Sequence, residues 1–176
     1  MTSRLTIRDL AAAEADTLGQ LLVRVYSGLD GFPTPAQQPG YYDMLLNIGL
    51  FTQKSETRVL VALTREGTLA GGVVYFGDMA SYGAGGPATQ ARNASGIRLL
   101  GVEPSLRNMG VGKALTRACI DLARERGHGQ VILHTTRPMK VAWGLYERLG
   151  FRRSDDLDFD QQGLQVFGFR LILPGA

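Results

Sequence analysis

The chain has a single cysteine in 176 residues, Cys119, so no internal disulfide can form and no multi-cysteine metal site can be built. Histidine is nearly as scarce, with two. Neither charge sign dominates: 19 Lys+Arg against 16 Asp+Glu leave +3, too even a balance for the dense basic stripe of a nucleic-acid surface. No apolar run approaches the roughly 20 residues of a membrane-spanning helix. The opening MTSRLTIRDLAAAEAD carries no apolar core of a secretory signal. These absences set the expectation of a cytoplasmic domain without metal, membrane or nucleic-acid partner. What is present, 44% hydrophobic and 20% charged residues, is globular composition. The length suits one core and one domain over 1–176.

Periodicity orders the elements. Arg4–Arg8 alternates like a half-buried strand, and from Ala12 the residues Leu18, Leu21, Leu22 and Val25 fall at helical spacing up to Gly28. Gly28–Gly40, rich in proline and glycine, reads as a loop, and Tyr41–Phe51 as a short second helix. Val59–Leu63 and Leu69–Phe76 read as strands joined by a turn at Gly67. Gly77–Gly96 has five glycines and almost no apolar period, so it is either a flexible hairpin tip or a substrate-shaping loop. Ile97–Val102 is a strand ended by Glu103-Pro104. A helix with Val111, Leu115, Ala118 and Leu122 as its buried stripe then runs to Gly127. Val131–Thr135 reads as a strand and Val141–Leu149 as a helix; Phe151–Phe159 and Leu164–Leu173 close as a strand pair. The expected fold class is α/β (α+β): a mixed, mostly antiparallel central sheet of about seven strands with about four helices on its two faces.

The stretch LLGVEPSLRNMGVGKAL, residues 99–115, carries the chemistry. A strand stops at proline, and two glycines one residue apart open a helix. The first amides of a helix lack intrahelical partners and sit at the positive end of its dipole. Glycine at 110 and 112 removes the side chains that would hold a phosphate away from them. A Walker loop would need Gly at 107 and Ser or Thr at 114, where Arg and Ala stand. A dinucleotide GxGxxG would need Gly at 115, which is Leu.

Val102-Glu103-Pro104-Ser105-Leu106-Arg107-Asn108-Met109-Gly110-Val111-Gly112 resembles the cofactor motif of the GNAT superfamily of acyl-CoA-dependent N-acyltransferases, V-x-P-x-x-[QR]-x-x-G-x-[GA], at every specified position. About 30 residues on, Ala142-Trp143-Gly144-Leu145-Tyr146-Glu147-Arg148-Leu149-Gly150-Phe151 is similar to that family's A-x-x-L-Y-x-x-x-G-F element. The resemblance implies an acetyl-CoA-dependent N-acetyltransferase acting on a primary amine by direct attack. The alternative is a non-catalytic acyl-CoA-binding regulatory module. It implies that main-chain groups of Leu100, Gly101 and Val102 pair with the pantetheine arm, with a backbone N–H near Gly101 or Val102 as oxyanion donor. Amides from Asn108 through Met109, Gly110, Val111 and Gly112 to Lys113, together with Arg107, would bind the pyrophosphate. Tyr146 corresponds to a general acid for the departing thiolate, a phenol protonated at neutral pH.

The base is open: Glu103, His134 on the next strand and a water chain are the candidates. His134 reads foremost as a partly buried structural histidine. Met139 stands where many members have asparagine, so that contact is lost. Cys119 reads as packing and not as an acyl-enzyme nucleophile. Asp156, Asp158 and Asp160 alternate with Leu157 and Phe159 and read as the wet face of a strand. A calcium loop would need Gly and Glu where Gln161 and Phe167 stand. Arg124, Arg126, Arg148, Arg152 and Arg153 read as a solvated rim. Phe32, Tyr41, Tyr42, the Gly77–Gly96 segment and the turn at Gln161–Gly163 are expected on the acceptor side, and edge strands leave a homodimer open.

Overall fold

A computed structural model describes residues 4–175; residues 1–3 of the opening segment and residue 176 lie outside them. Eight strands and four α-helices follow one another, one strand more than the sequence suggests. The strands are β1 (Thr6–Asp9), β2 (Thr57–Leu63), β3 (Leu69–Phe76), β4 (Ala94–Val102), β5 (Gln130–Thr135), β6 (Arg152–Arg153), β7 (Phe159–Gln161) and β8 (Leu164–Ile172). The helices are α1 (Ala15–Ser27), α2 (Pro39–Leu46), α3 (Val111–Glu125) and α4 (Lys140–Arg148). The sheet order is β1-β2-β3-β4-β5-β8-β6, with β7 pairing β8. Among the described residues only β4 and β5 run parallel, and every other pairing is antiparallel.

The sheet is covered on both sides, so its central strands are apolar on both faces. In β2, Val59 and Val61 face a core built on α1 and α2, while Leu60 and Ala62 face a second core built on α3 and α4. In β5, Ile132 belongs to the first core and Val131 and Leu133 to the second, as period two requires. Gly101 on β4 is a packing glycine: a Cβ there would lie 2.5 Å from Leu22 Cδ2, so its absence lets α1 lie against the strand. No helix among the described residues is long and apolar enough to cross a membrane.

Three expectations are corrected. The α2 helix begins at Pro39 and ends at Leu46; a 3₁₀ helix over Ile48–Gln53 takes over. The Gly77–Gly96 segment is not a bare loop, since it holds 3₁₀ turns at Met79–Ser81 and Gly86–Gln90 and the start of β4. The expected strand Phe151–Phe159 is broken into β6, a 3₁₀ turn at Asp155–Leu157, and β7. The alternation there comes from ion pairing: Asp156 pairs with Arg170 and Asp158 with Arg153, while Leu157 turns into the core.

Candidate active site

The β4–β5 pairing stops at Ile97↔Leu133, although β4 stays paired to β3 as far as Gly71↔Val102 and β5 to β8 as far as Thr135↔Phe167. The two parallel strands therefore part beyond Ile97. A bulge sets the parting: Val74↔Arg98 and Gly72↔Gly101 leave Leu99 and Leu100 opposite Val73 alone. Leu99 takes φ 62°, left-handed backbone in a non-glycine residue, at a cost of roughly 1–2 kcal/mol. The Glu103 amide donates to the Ala70 carbonyl at 2.8 Å on β3. Antiparallel alternation then turns the main-chain groups of Val102 away from β3 and toward the gap. The Leu100 carbonyl accepts from the Tyr26 hydroxyl at 2.8 Å, leaving one lone pair.

A cavity of about 1360 Å³ opens through this gap, larger than the roughly 300–1,000 Å³ of a typical ligand pocket. Arg107, Gly110, Gly112 and Lys113, at the start of α3, form its basic end, and Lys140, Arg148, Tyr26, Phe32, Tyr41, Tyr82, His134 and Phe159 are among its other lining residues. Leu100, Gly101, Val102 and Tyr146 lie along the same cavity. At the basic end, Gly110 caps α3 at φ 75°, a conformation glycine adopts without a Cβ penalty. Ala114 is the first residue of α3 whose amide is bonded back, to the Gly110 carbonyl at 3.0 Å. The amides of the three residues before it have no i−4 acceptor within the helix. Asn108, Met109 and Val111 do not line the cavity with their side chains; that of Val111 is buried in the second core.

Tyr146 is buried on α4, its ring 5.8 Å from Phe151, and burial pushes its phenol well above the usual value. It therefore keeps its proton at every physiological pH. Glu103, a candidate base in the sequence, does not line the cavity, and its carboxylate is held by Arg24 at 2.8 Å. His134 does line it, with both ring nitrogens engaged. Nε2 lies 2.9 Å from the Leu157 carbonyl, which can only accept, so Nε2 carries the proton. Nδ1 then accepts from the Tyr82 hydroxyl at 2.8 Å. Burial lowers the His134 pKa, so the ring is neutral near pH 7. Cys119 is fully buried on α3 and its thiol pKa is raised by burial. Tyr42 faces away from the cavity and donates to the Pro33 carbonyl at 2.6 Å.

Several lining residues gave no sequence signal as site residues: Tyr26, Tyr82, Thr136 and Arg98. Only Arg98, a charge inside an apolar strand, is conspicuous in the sequence itself. The Thr136 hydroxyl is the one buried side-chain polar atom without a hydrogen-bond partner among the described residues.

The acetyltransferase (GNAT) family matches residues 22–151, nearly three quarters of the chain. A probable N-acetyltransferase, camello, from Xenopus tropicalis is 35% identical over 68 residues, 39% of this chain and 31% of that protein. The chain spans under a third of the length of the first curated relatives it matches. Among solved structures, an acetyltransferase of the GNAT family from Staphylococcus aureus Mu50 superposes with a TM-score of 0.72 at 18% identity, covering 94% of this chain and 97% of that one. The structure of yncA, a putative acetyltransferase from Salmonella typhimurium with its cofactor acetyl-CoA, gives 0.67 at 17% identity over 98% and 96%. These two likenesses establish the fold.

Proposed function

The chain belongs to the acetyltransferase (GNAT) family, and from that premise we propose that it transfers the acetyl group of acetyl-CoA to a primary amine by direct attack in a ternary complex. The observation that carries this reading is the continuity of one cavity from the start of α3, through the parting of β4 and β5, to Tyr146. A diphosphate fits the unbonded amides around Gly112, and Arg107 and Lys113 line the same end. The groups of Val102 that face the gap suit the amides of a pantetheine arm. Acetyl-CoA supplies a thioester whose carbonyl carbon accepts the amine.

The C–N bond forms and the C–S bond breaks; the sulfur takes a proton from the Tyr146 hydroxyl, and a proton released by the nitrogen returns to Tyr146 through water, so that the phenol is restored. Tyr146 lines the cavity and, as a phenol, carries its proton at neutral pH, and its ring position would be kept by phenylalanine. Glu103, tied to Arg24, is not needed. A water chain in the cavity would carry the amine proton to solvent. Cys119 has no access to the thioester, which favours direct attack over an acyl-enzyme. Acetyl-CoA use and a lone buried thiol also suit a cytoplasmic location.

Titration of coenzyme A by calorimetry, followed by a CoA-release assay over an amine panel with mass detection of acetylated product, tests the proposal. Binding together with acetylated product supports it. Binding without product on any amine would leave the cavity as a CoA-binding module, and no binding would remove the reading altogether.

A further inference from the structure

Arg98 is a charged side chain in the wall of an aromatic cavity with no carboxylate to meet it. None of the ion pairs among the described residues includes it. Its Nη1 donates to the Tyr82 carbonyl at 2.9 Å, and its Nη2 reaches only the Met44 sulfur at 3.9 Å. The guanidinium carbon lies 5.9 Å from the Tyr82 ring centroid. A guanidinium has five N–H donors, so most of its capacity is unspent. A partly buried charge without a counter-ion is costly to hold, and an anion arriving in the cavity would relieve that cost.

The position is set by strand alternation. Ile97 packs into the core under α3, so Arg98, in register with Val74, faces α1 and α2, and the extra residue after it brings Leu99 to the same side. The Arg98 charge acts on the hydroxyls of Tyr26, Tyr41 and Tyr82, lowering each against the upward push of burial. Those groups surround one space. Within it Tyr26, Phe32 and Tyr41 touch one another with centroids 5.6, 5.7 and 6.0 Å apart, an apolar wall with no acid in it. Of the acids that line the cavity, Asp160 is occupied by the Gly163 amide and Gln165 Nε2, and Asp30 is exposed on the loop.

We infer that Arg98 receives the carboxylate of the acceptor, and that the acceptor is an α-amino acid with an apolar side chain lying against Tyr26, Phe32 and Tyr41. The inference rests on the acetyl-transfer reading and names its substrate class. In such a molecule the amine and the carboxylate share one carbon. Gripping the carboxylate at the residue next to the last β4–β5 pair therefore holds the nitrogen at the parting of the strands. A planar carboxylate suits the guanidinium fork, which lysine cannot reproduce. A polyamine would bring cations toward Arg98, and the amine of a peptide N-terminus has no carboxylate on its α-carbon; both leave the guanidinium unpaired. The product is the N-acetyl amino acid plus CoA: one C–N bond replaces one C–S bond, with the amine proton lost to water.

The test compares L-phenylalanine and L-leucine with their amides and with phenethylamine, reading kcat/KM and the mass of the product. The free acids are expected to exceed their amides by roughly tenfold or more. Arg98→Met is expected to abolish that preference, and Arg98→Lys to keep part of it. Equal use of acid and amide, or a preference that survives in Arg98→Met, overturns the inference. A second readout needs no turnover: N-acetyl-L-phenylalanine is expected to raise the thermal midpoint of the parent and not of Arg98→Met, while its amide raises neither. Absence of that difference also overturns it. CoA binding, and acetylation of amines lacking a carboxylate, test the transfer reading separately, so each can fail alone.

Discussion

The Tyr26 hydroxyl on α1 donates to the Leu100 carbonyl of β4 at 2.8 Å, across a sequence separation of 74 residues. That bond ties the first helix to the strand immediately after left-handed Leu99, where the sheet opens. A single bond thus connects the packing of α1 to the shape of the cavity.

Tyr26→Phe keeps the aromatic contacts with Phe32 and Tyr41 and loses only this bond. A net loss of about 1 kcal/mol is expected, seen as a lower urea midpoint with unchanged slope. Acetyl-CoA affinity, measured by calorimetry, is expected to weaken as the Leu100 segment loosens. An unchanged midpoint and affinity would mean that water serves the carbonyl equally well.

Gly110→Ala separates backbone strain from crowding. A Cβ at 110 meets nothing within 4 Å, yet φ is 75°. The cost is then conformational, about 1 kcal/mol. Because Gly110 caps α3, relief of the strain would rotate the first amides of the helix. The expected outcome is a modest fall in thermal midpoint and a larger fall in coenzyme A affinity. Stability loss with full affinity would place the diphosphate elsewhere.

The sheet and helices were legible because their apolar residues recur at two or 3.6 positions, and period survives without coordinates. The start of α3 was legible because two glycines one residue apart follow a strand ended by proline and leave the first helix amides uncovered. The bulge was not: Ile97–Val102 reads as an uninterrupted strand, and an extra residue in a ladder changes which face a side chain takes without altering composition. Arg98 shows as a charge in an apolar strand and faces α1 and α2 by plain alternation from Ile97; what the sequence hides is that its guanidinium meets the Tyr82 carbonyl and no carboxylate. The break between β6 and β7 was hidden because the alternation of Asp156, Leu157, Asp158 and Phe159 is equally that of a strand. Only the ion pairs with Arg170, on β8, and with Arg153, five residues before Asp158, reveal that the acids are paired instead. Tyr26 and Tyr82 are core aromatics whose hydroxyls' partners, Leu100 and His134, come from far along the chain, so nothing local in the sequence marks them.

Tyr146→Phe removes the proposed acid and nothing else, because its ring packs on Phe151 without needing the hydroxyl. A fall in kcat of at least about a hundredfold is expected, with acetyl-CoA affinity and thermal midpoint near those of the parent. Equal kcat across pH would remove Tyr146 from the mechanism and pass the thiolate's proton to water.

His134 gives the fold a signature on the acid side. In the fold its pKa lies below the ordinary value, chiefly through burial, whereas in the unfolded chain it titrates near 6.5. Above that pH neither state holds the proton and His134 adds no pH dependence. As pH falls below about 6.5 the unfolded chain binds a proton that the folded one refuses, so stability drops until the folded value is passed. Protonation within the fold would also place a second N–H against the Tyr82 hydroxyl, which now donates to Nδ1. Glutamine at 134 can donate to the Leu157 carbonyl and accept from Tyr82 without titrating. His134→Gln is therefore expected to flatten the slope of urea midpoint against pH below about 6.5, while matching the parent near pH 8. An identical slope in both proteins would show that His134 titrates freely and that the Tyr82–His134–Leu157 chain does not hold its neutral form.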